Sequence, residues 1–126
     1  MKIIDIKTQD IRFPTSKDNL GTDAVHVDCD YSATYVTIFT DQKDLTGIGL
    51  TFTIGKGNDL CCTVIEYFKE FIIGKYVEEI EKDIASIWEK ITNHSQLRWV
   101  GPQKGVTHLA ACLLYTSDAA DDIRRV

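Results

Sequence analysis

No cluster of lysine and arginine occurs anywhere in the chain, and the net charge is -5, so a nucleic-acid partner is not expected. No apolar run approaches the roughly 20 residues of a membrane-spanning helix, so no membrane partner is expected. A secretory leader is not expected either, because Met1-Lys2-Ile3-Ile4-Asp5 puts an acid where the leader's apolar segment would lie. Four cysteines are too few and too unevenly placed for a disulfide framework: Cys61 and Cys62 are adjacent, and Cys29 and Cys112 stand alone. That usage suits a reducing compartment, with the cytoplasm expected and the mitochondrial matrix also compatible. Internal repeats and low-complexity tracts are absent. No Ser-His-Asp or Cys-His arrangement can be argued, so no catalytic residue is assigned.

What is present is one domain's worth of ordinary globular sequence: 126 residues, 44% hydrophobic and 26% charged. Such a length buries a modest core. Ile4, Ile6 and Asp10 to Phe13 suggest a first strand, closed by Pro14. Residues 15 to 30 have no hydrophobic period and carry Ser16, Asp18, Asn19, Gly21, Asp23, Asp28 and Asp30, which predicts a long loop. Tyr31 to Thr40 alternates Tyr35, Thr37 and Phe39 against Val36 and Ile38, a strand pattern. Asp41 to Asp44 is a polar turn, and Gly47 to Ile54 a third strand with Ile48, Leu50 and Phe52 on one face. The short link between the two strands predicts an antiparallel hairpin.

Gly55-Lys56-Gly57-Asn58 then breaks the strand, with Asn58 as the expected helix N-cap. Leu60, Val64, Tyr67, Phe68 and Phe71 follow at helical spacing, and Gly74 ends that helix. A second helix is predicted over about 77 to 91, striped by Ile80, Ile84, Ile87, Trp88 and Ile91. After a connector from Asn93 to Trp99, Pro102 fits the first turn of a third helix through Val106, Leu109 and Ala110. Strands first and helices afterwards define an α+β domain.

Most polar candidates have a plain structural explanation. Gly55-Lys56-Gly57 lacks the glycine spacing and Lys-Ser/Thr pair of a phosphate loop and reads as a strand-to-helix turn, though it could still approach a ligand. His26-x-x-Cys29 has no second pair, so no zinc site is expected. Asp28-x-Asp30 reads as solvated or capping carboxylates, and Glu78-Glu79-Glu81 as a solvated helix N-terminus. His108 is expected in a structural role, and Trp88 and Trp99 in core or interface positions. The stretch from Gly21-Thr22-Asp23 to Asp30-Tyr31-Ser32 is left as a polar crossing rich in hydrogen-bonding groups, read as a substrate-touching lid.

Five segments taken together carry a resemblance. Asp10-Ile-Arg-Phe-Pro-Thr-Ser16, Gly21-Thr-Asp-Ala24, Asp30-Tyr-Ser-Ala33, Phe52-Thr-Ile-Gly-Lys-Gly-Asn58, and Gln96-Leu-Arg-Trp99 with Gly101-Pro102 and Lys104-Gly-Val106 occur in order and at sensible spacing. Over residues 1 to 111 the chain resembles the N-terminal part of the L-fuconate dehydratases, in the mandelate racemase group of the enolase superfamily. The resemblance implies a three-stranded antiparallel sheet followed by a helical bundle, forming a cap over a (β/α)8 barrel that is absent here. It implies that the barrel binds Mg2+ and carries the acid and base, so that no metal ligand lies in this chain. It also implies that a sugar acid, L-fuconate, is read by cap residues matching Gly21, Thr22, Asp23 and Tyr31. Cys29 stands where the family more often has proline, which predicts a less rigid loop.

After Ala111 the resemblance stops. Cys112-Leu-Leu-Tyr-Thr-Ser-Asp-Ala-Ala-Asp-Asp122 is similar to the in-frame translation of a sequencing-library adapter, so 112 to 126 is read as a non-native tail on a truncated cap. The other readings are the cap of a sibling acid-sugar dehydratase, a stand-alone sugar-acid binding module, and a gene fragment without function.

Overall fold

The computed structural model describes residues 1–100 and 105–119, with side chains through residue 114. Three strands, β1 (Ile3–Arg12), β2 (Ser32–Thr40) and β3 (Thr46–Thr53), form one antiparallel sheet in the order β1-β2-β3. The predicted hairpin is present, with Thr37 opposite Ile48 on one side and Lys7 on the other.

One irregularity decides which side of β1 is buried. The register slips between Ile3 and Asp5, leaving Ile4 as an extra residue. A regular strand would turn Ile3 and Ile6 to opposite faces; the bulge turns both inward. Ile4, which the sequence pattern paired with Ile6, is exposed instead.

The inner face of β2 alternates as expected, burying Ser32, Thr34, Val36, Ile38 and Thr40. On β3 the inward residues Gly47 and Gly49 lie beside Ile38 and Val36, and having no side chains they leave room for the last helix against this strand. Ile48, Leu50 and Phe52 do share a face, but it is the exposed one.

Helix α1 (Asn58–Ile72) buries Cys61, Val64, Ile65, Phe68 and Ile72, while Leu60 and Tyr67 face outward. Its apolar stripe is therefore rotated by about one residue from the predicted one. Gly57, not Asn58, is the N-cap, and Asn58 is the first helical residue, with its side chain turned into the protein. Gly74 closes the other end with φ 87°, and its N–H donates to the Ile3 carbonyl, stitching the helix end to β1.

The single helix expected over 77 to 91 is two, α2 (Val77–Lys82) and α3 (Ile84–Thr92). The break falls at Asp83, whose carboxylate accepts the Ser86 N–H and caps α3. Glu78 is not merely solvated: its carboxylate accepts from the Met1 ammonium at 2.7 and 2.8 Å.

Helix α4 (Val106–Ala119) crosses the boundary at Ala111 without a break. Its core residues are Ala110, Ala111, Leu113 and Leu114, and Leu109 is exposed. The predicted helix start at Pro102 lies outside the described residues. Phe68, Ile3, Ile6 and Ile65 are the largest fully buried apolar side chains of the core between sheet and helices.

Candidate functional site

The end of β1, the start of β2, the end of β3 and the N-terminus of α1 meet at one end of the sheet. The crossing from Phe13 to Tyr31 is built there. It begins with a 3-10 turn, Thr15–Asp18, ended by Asn19 in the left-handed region at φ 52°.

Two short side chains close the stem. The Thr15 hydroxyl donates to the Cys29 carbonyl at 2.8 Å and accepts the Tyr31 N–H at 3.0 Å. The Ser16 hydroxyl and N–H both donate to Asp30 Oδ1, at 2.7 and 3.1 Å. The Asp30 N–H in turn donates to the Ile54 carbonyl. The stem is thus closed at Cys29 without a proline there, and Cys29 is itself buried.

The tip holds itself. The Thr22 hydroxyl donates to the Asn19 carbonyl at 3.1 Å. Asp23 Oδ1 accepts the N–H groups of Val25 and His26 at 2.8 and 2.7 Å, and the Asp23 N–H donates to the His26 carbonyl. The Tyr31 hydroxyl donates to the Gly21 carbonyl at 2.7 Å, while its ring lies 5.5 Å from that of Phe52. Gly21 and Tyr31 are therefore in direct contact, with Thr22 and Asp23 following on the same tip. Among the described residues, the N–H groups of Gly21 and Thr22 take no partner.

Two carboxylates of this loop, Asp30 and Asp23, are held below the usual carboxylate range. The Ser16 hydroxyl and then its N–H lower the pKa of Asp30, and the N–H groups of His26 and Val25 lower that of Asp23. A carboxylate with a lowered pKa contributes order above its ordinary range and loses it as pH falls through the folded value. The Ser16 amide resonance is expected to hold steady at neutral pH and to move upfield in acid, below the usual Asp range. Asp30→Asn should abolish that transition; an unchanged transition in the variant would assign it elsewhere.

The Gly55-Lys56-Gly57 turn lies beside this stem, a proximity that sequence spacing does not reveal. A Cβ added at Gly55 would come within 3.1 Å of the Asp30 Cβ. Arg12 sits at the same end, its guanidinium on Asp10 at 2.7 Å and on Asp59 at 3.4 Å.

His26 pairs loosely with Asp23, and Cys29 donates its thiol to the His26 carbonyl. His108 packs edge-on to Trp88, which borders the core, whereas Trp99 is exposed. Among the described residues no group of three His, Cys, Asp or Glu side chains could hold a metal ion. Among the described residues, no helix is long and apolar enough to cross a membrane. Chemically, the loop end offers a phenol oxygen and backbone N–H groups to hydrogen bonding.

The fold defines the class: it matches the N-terminal cap domain of enolase-superfamily structures, and the described residues form no barrel. No family profile matches the chain. It is 46% identical over 110 residues to mitochondrial enolase superfamily member 1 of Xenopus laevis, covering 86% of this chain and 25% of that protein. It is 44% identical over 108 residues to the L-galactonate dehydratase of Hypocrea jecorina, covering 86% and 24%. The crystal structure of human mitochondrial enolase superfamily member 1 superposes with a TM-score of 0.88 at 39% identity, over 93% of this chain and 27% of that one. The chain spans about a quarter of the length of these curated relatives.

Proposed function

We propose that this chain is the substrate-reading cap of an acid-sugar dehydratase, that the sugar acid is L-fuconate, and that the barrel of a parent polypeptide performs the carbon–oxygen lyase chemistry with Mg2+. The observation that carries the reading is the loop end: Gly21, Thr22 and Asp23 form its tip, and the Tyr31 hydroxyl reaches that tip from a stem clamped by Thr15, Ser16 and Asp30. A hydroxyl-rich acid offers donors and acceptors to such a tip, and a wrong epimer would leave some of them unpaired. The outward strip of Ile48, Leu50 and Phe52 supports the view that this cap works as part of a larger protein. Its four free cysteines support a reducing compartment, cytoplasmic or mitochondrial.

The similarity to an L-galactonate dehydratase favours a second reading, the cap of a sibling enzyme. L-Fuconate is the 6-deoxy form of L-galactonate, so a loop reading carbons 2 to 5 would admit both. The residues that separate them must read carbon 6. Residues 112 to 126 are proposed to be a non-native continuation; the resemblance ending at Ala111 supports this.

Replacing residues 15–31 of the parent enzyme by the matching loop of an L-galactonate dehydratase tests the proposal. The ratio of kcat/KM for L-fuconate over L-galactonate is expected to fall, with turnover retained. An unchanged ratio removes carbon 6 from what the loop reads, and unchanged KM values for both acids remove the loop from substrate reading altogether. This chain alone, given L-fuconate and Mg2+, is expected to yield no keto-deoxy product.

A further inference from the structure

We propose that Tyr31 is the latch of the loop, a positioning residue that acts through Gly21. A phenol has one proton, and that of Tyr31 is spent on the Gly21 carbonyl at 2.7 Å. Its oxygen can still accept a hydrogen bond from a ligand hydroxyl, but it cannot donate one to a ligand carboxylate while the latch is closed.

The contact is shaped for glycine. Gly21 has φ 72°, and a Cβ added there would lie 2.0 Å from the Tyr31 hydroxyl and 2.1 Å from its ring. Any side chain at this position would displace the phenol. The ring is fixed from the other side by Phe52 on β3, and the Tyr31 N–H is held by Thr15 in the stem. The latch therefore ties the tip to the sheet by one side chain, 10 residues along the chain from its partner. Closing it immobilises the Gly21 carbonyl, and with it the unpartnered N–H groups of Gly21 and Thr22. The phenol oxygen, its proton spent on Gly21, is then held in place as an acceptor for a ligand hydroxyl. This last step rests on the ligand reading proposed above; the latch itself does not.

The test is amide hydrogen exchange on the chain as it stands, with Tyr31→Phe, Gly21→Ala and the double variant. Loss of one exposed hydrogen bond is expected to speed exchange at Asp23, Val25 and His26 by about three- to tenfold. Amides of β2 and β3 should keep their protection. The double variant should exchange no faster than the quicker single one, because both changes open the same contact. Unchanged exchange at the tip in Tyr31→Phe overturns the latch, and so does equal loss of protection across the sheet. In the parent enzyme, Tyr31→Phe is expected to raise KM for the sugar acid several-fold with kcat little changed. Faster tip exchange with an unaltered KM would leave the latch standing and remove the ligand reading.

Discussion

Truncation after Ala111 is expected to destabilise the domain by about 3–6 kcal/mol, since it removes two buried leucines worth roughly 1.5–3 kcal/mol each. Leu113 and Leu114 are 1% and 4% exposed, and both belong to the core shared by the sheet and helices. A domain of this size has ~5–15 kcal/mol of stability in total, so the shortened chain should unfold at far lower urea, or be unfolded in buffer. Leu113→Ser with Leu114→Ser in the 126-residue chain should reproduce most of the loss while keeping the helix length. Equal urea midpoints for residues 1–111 and 1–126 would mean that the last turns of α4 contribute nothing. The expected result does not oppose a non-native origin for residues 112–126. Cores accept apolar residues of suitable size from any source, and Leu113 and Leu114 meet that requirement by position alone.

The sheet was legible because β2 alternates strictly, and the helices because their apolar residues recur every three or four positions. What the pattern could not supply was phase. In α1, Leu60 and Tyr67 fit helical spacing as well as Cys61 and Ile65 do, and only the surface of the sheet selects the second set. In β1, Ile3, Ile4 and Ile6 offer two alternations, and a single bulged residue decides between them. Alternation along β3 likewise groups Ile48, Leu50 and Phe52 but cannot say that α4 covers the glycine side. The break at Asp83 did carry a signal, an Asp three residues before Ser86, but the isoleucine stripe running through it concealed the cap.

The crossing loop was visible as a stretch without period. Its internal geometry was not, because Thr15 and Ser16 find Cys29, Asp30 and Tyr31 from 14 to 16 residues away. Local rules read side chains against their near neighbours, and this stem is made of distant ones. The same limit applies to the turn at Gly55, which meets Asp30 only through the pairing of β2 with β3.

Asn58→Ala is expected to cost about 2–3 kcal/mol, because it deletes three hydrogen bonds, one of them to a carboxylate, and empties the space of a fully buried side chain. Asn58 is fully buried. Its Nδ2 donates to Asp10 Oδ1 at 2.8 Å and to the Ile11 carbonyl at 3.3 Å, and its Oδ1 accepts from the Thr53 hydroxyl. A carboxylate held ionised can only accept, so the amide has one workable orientation. Asp10 is held so, with its pKa lowered chiefly by Arg12. Asn58 thus joins the end of β1, the end of β3 and the start of α1 behind the Gly55–Gly57 turn. Asn58→Asp should be worse than alanine at neutral pH, since it sets a second carboxylate against Asp10. Its deficit should shrink as pH falls and one of the pair takes a proton, whereas the alanine variant should show no such recovery. Urea unfolding of both variants between neutral and mildly acid pH measures the difference. Parallel pH profiles would show that the side chain fills space at this junction without pairing with Asp10. A shared recovery in both variants would place the titrating group outside the pair.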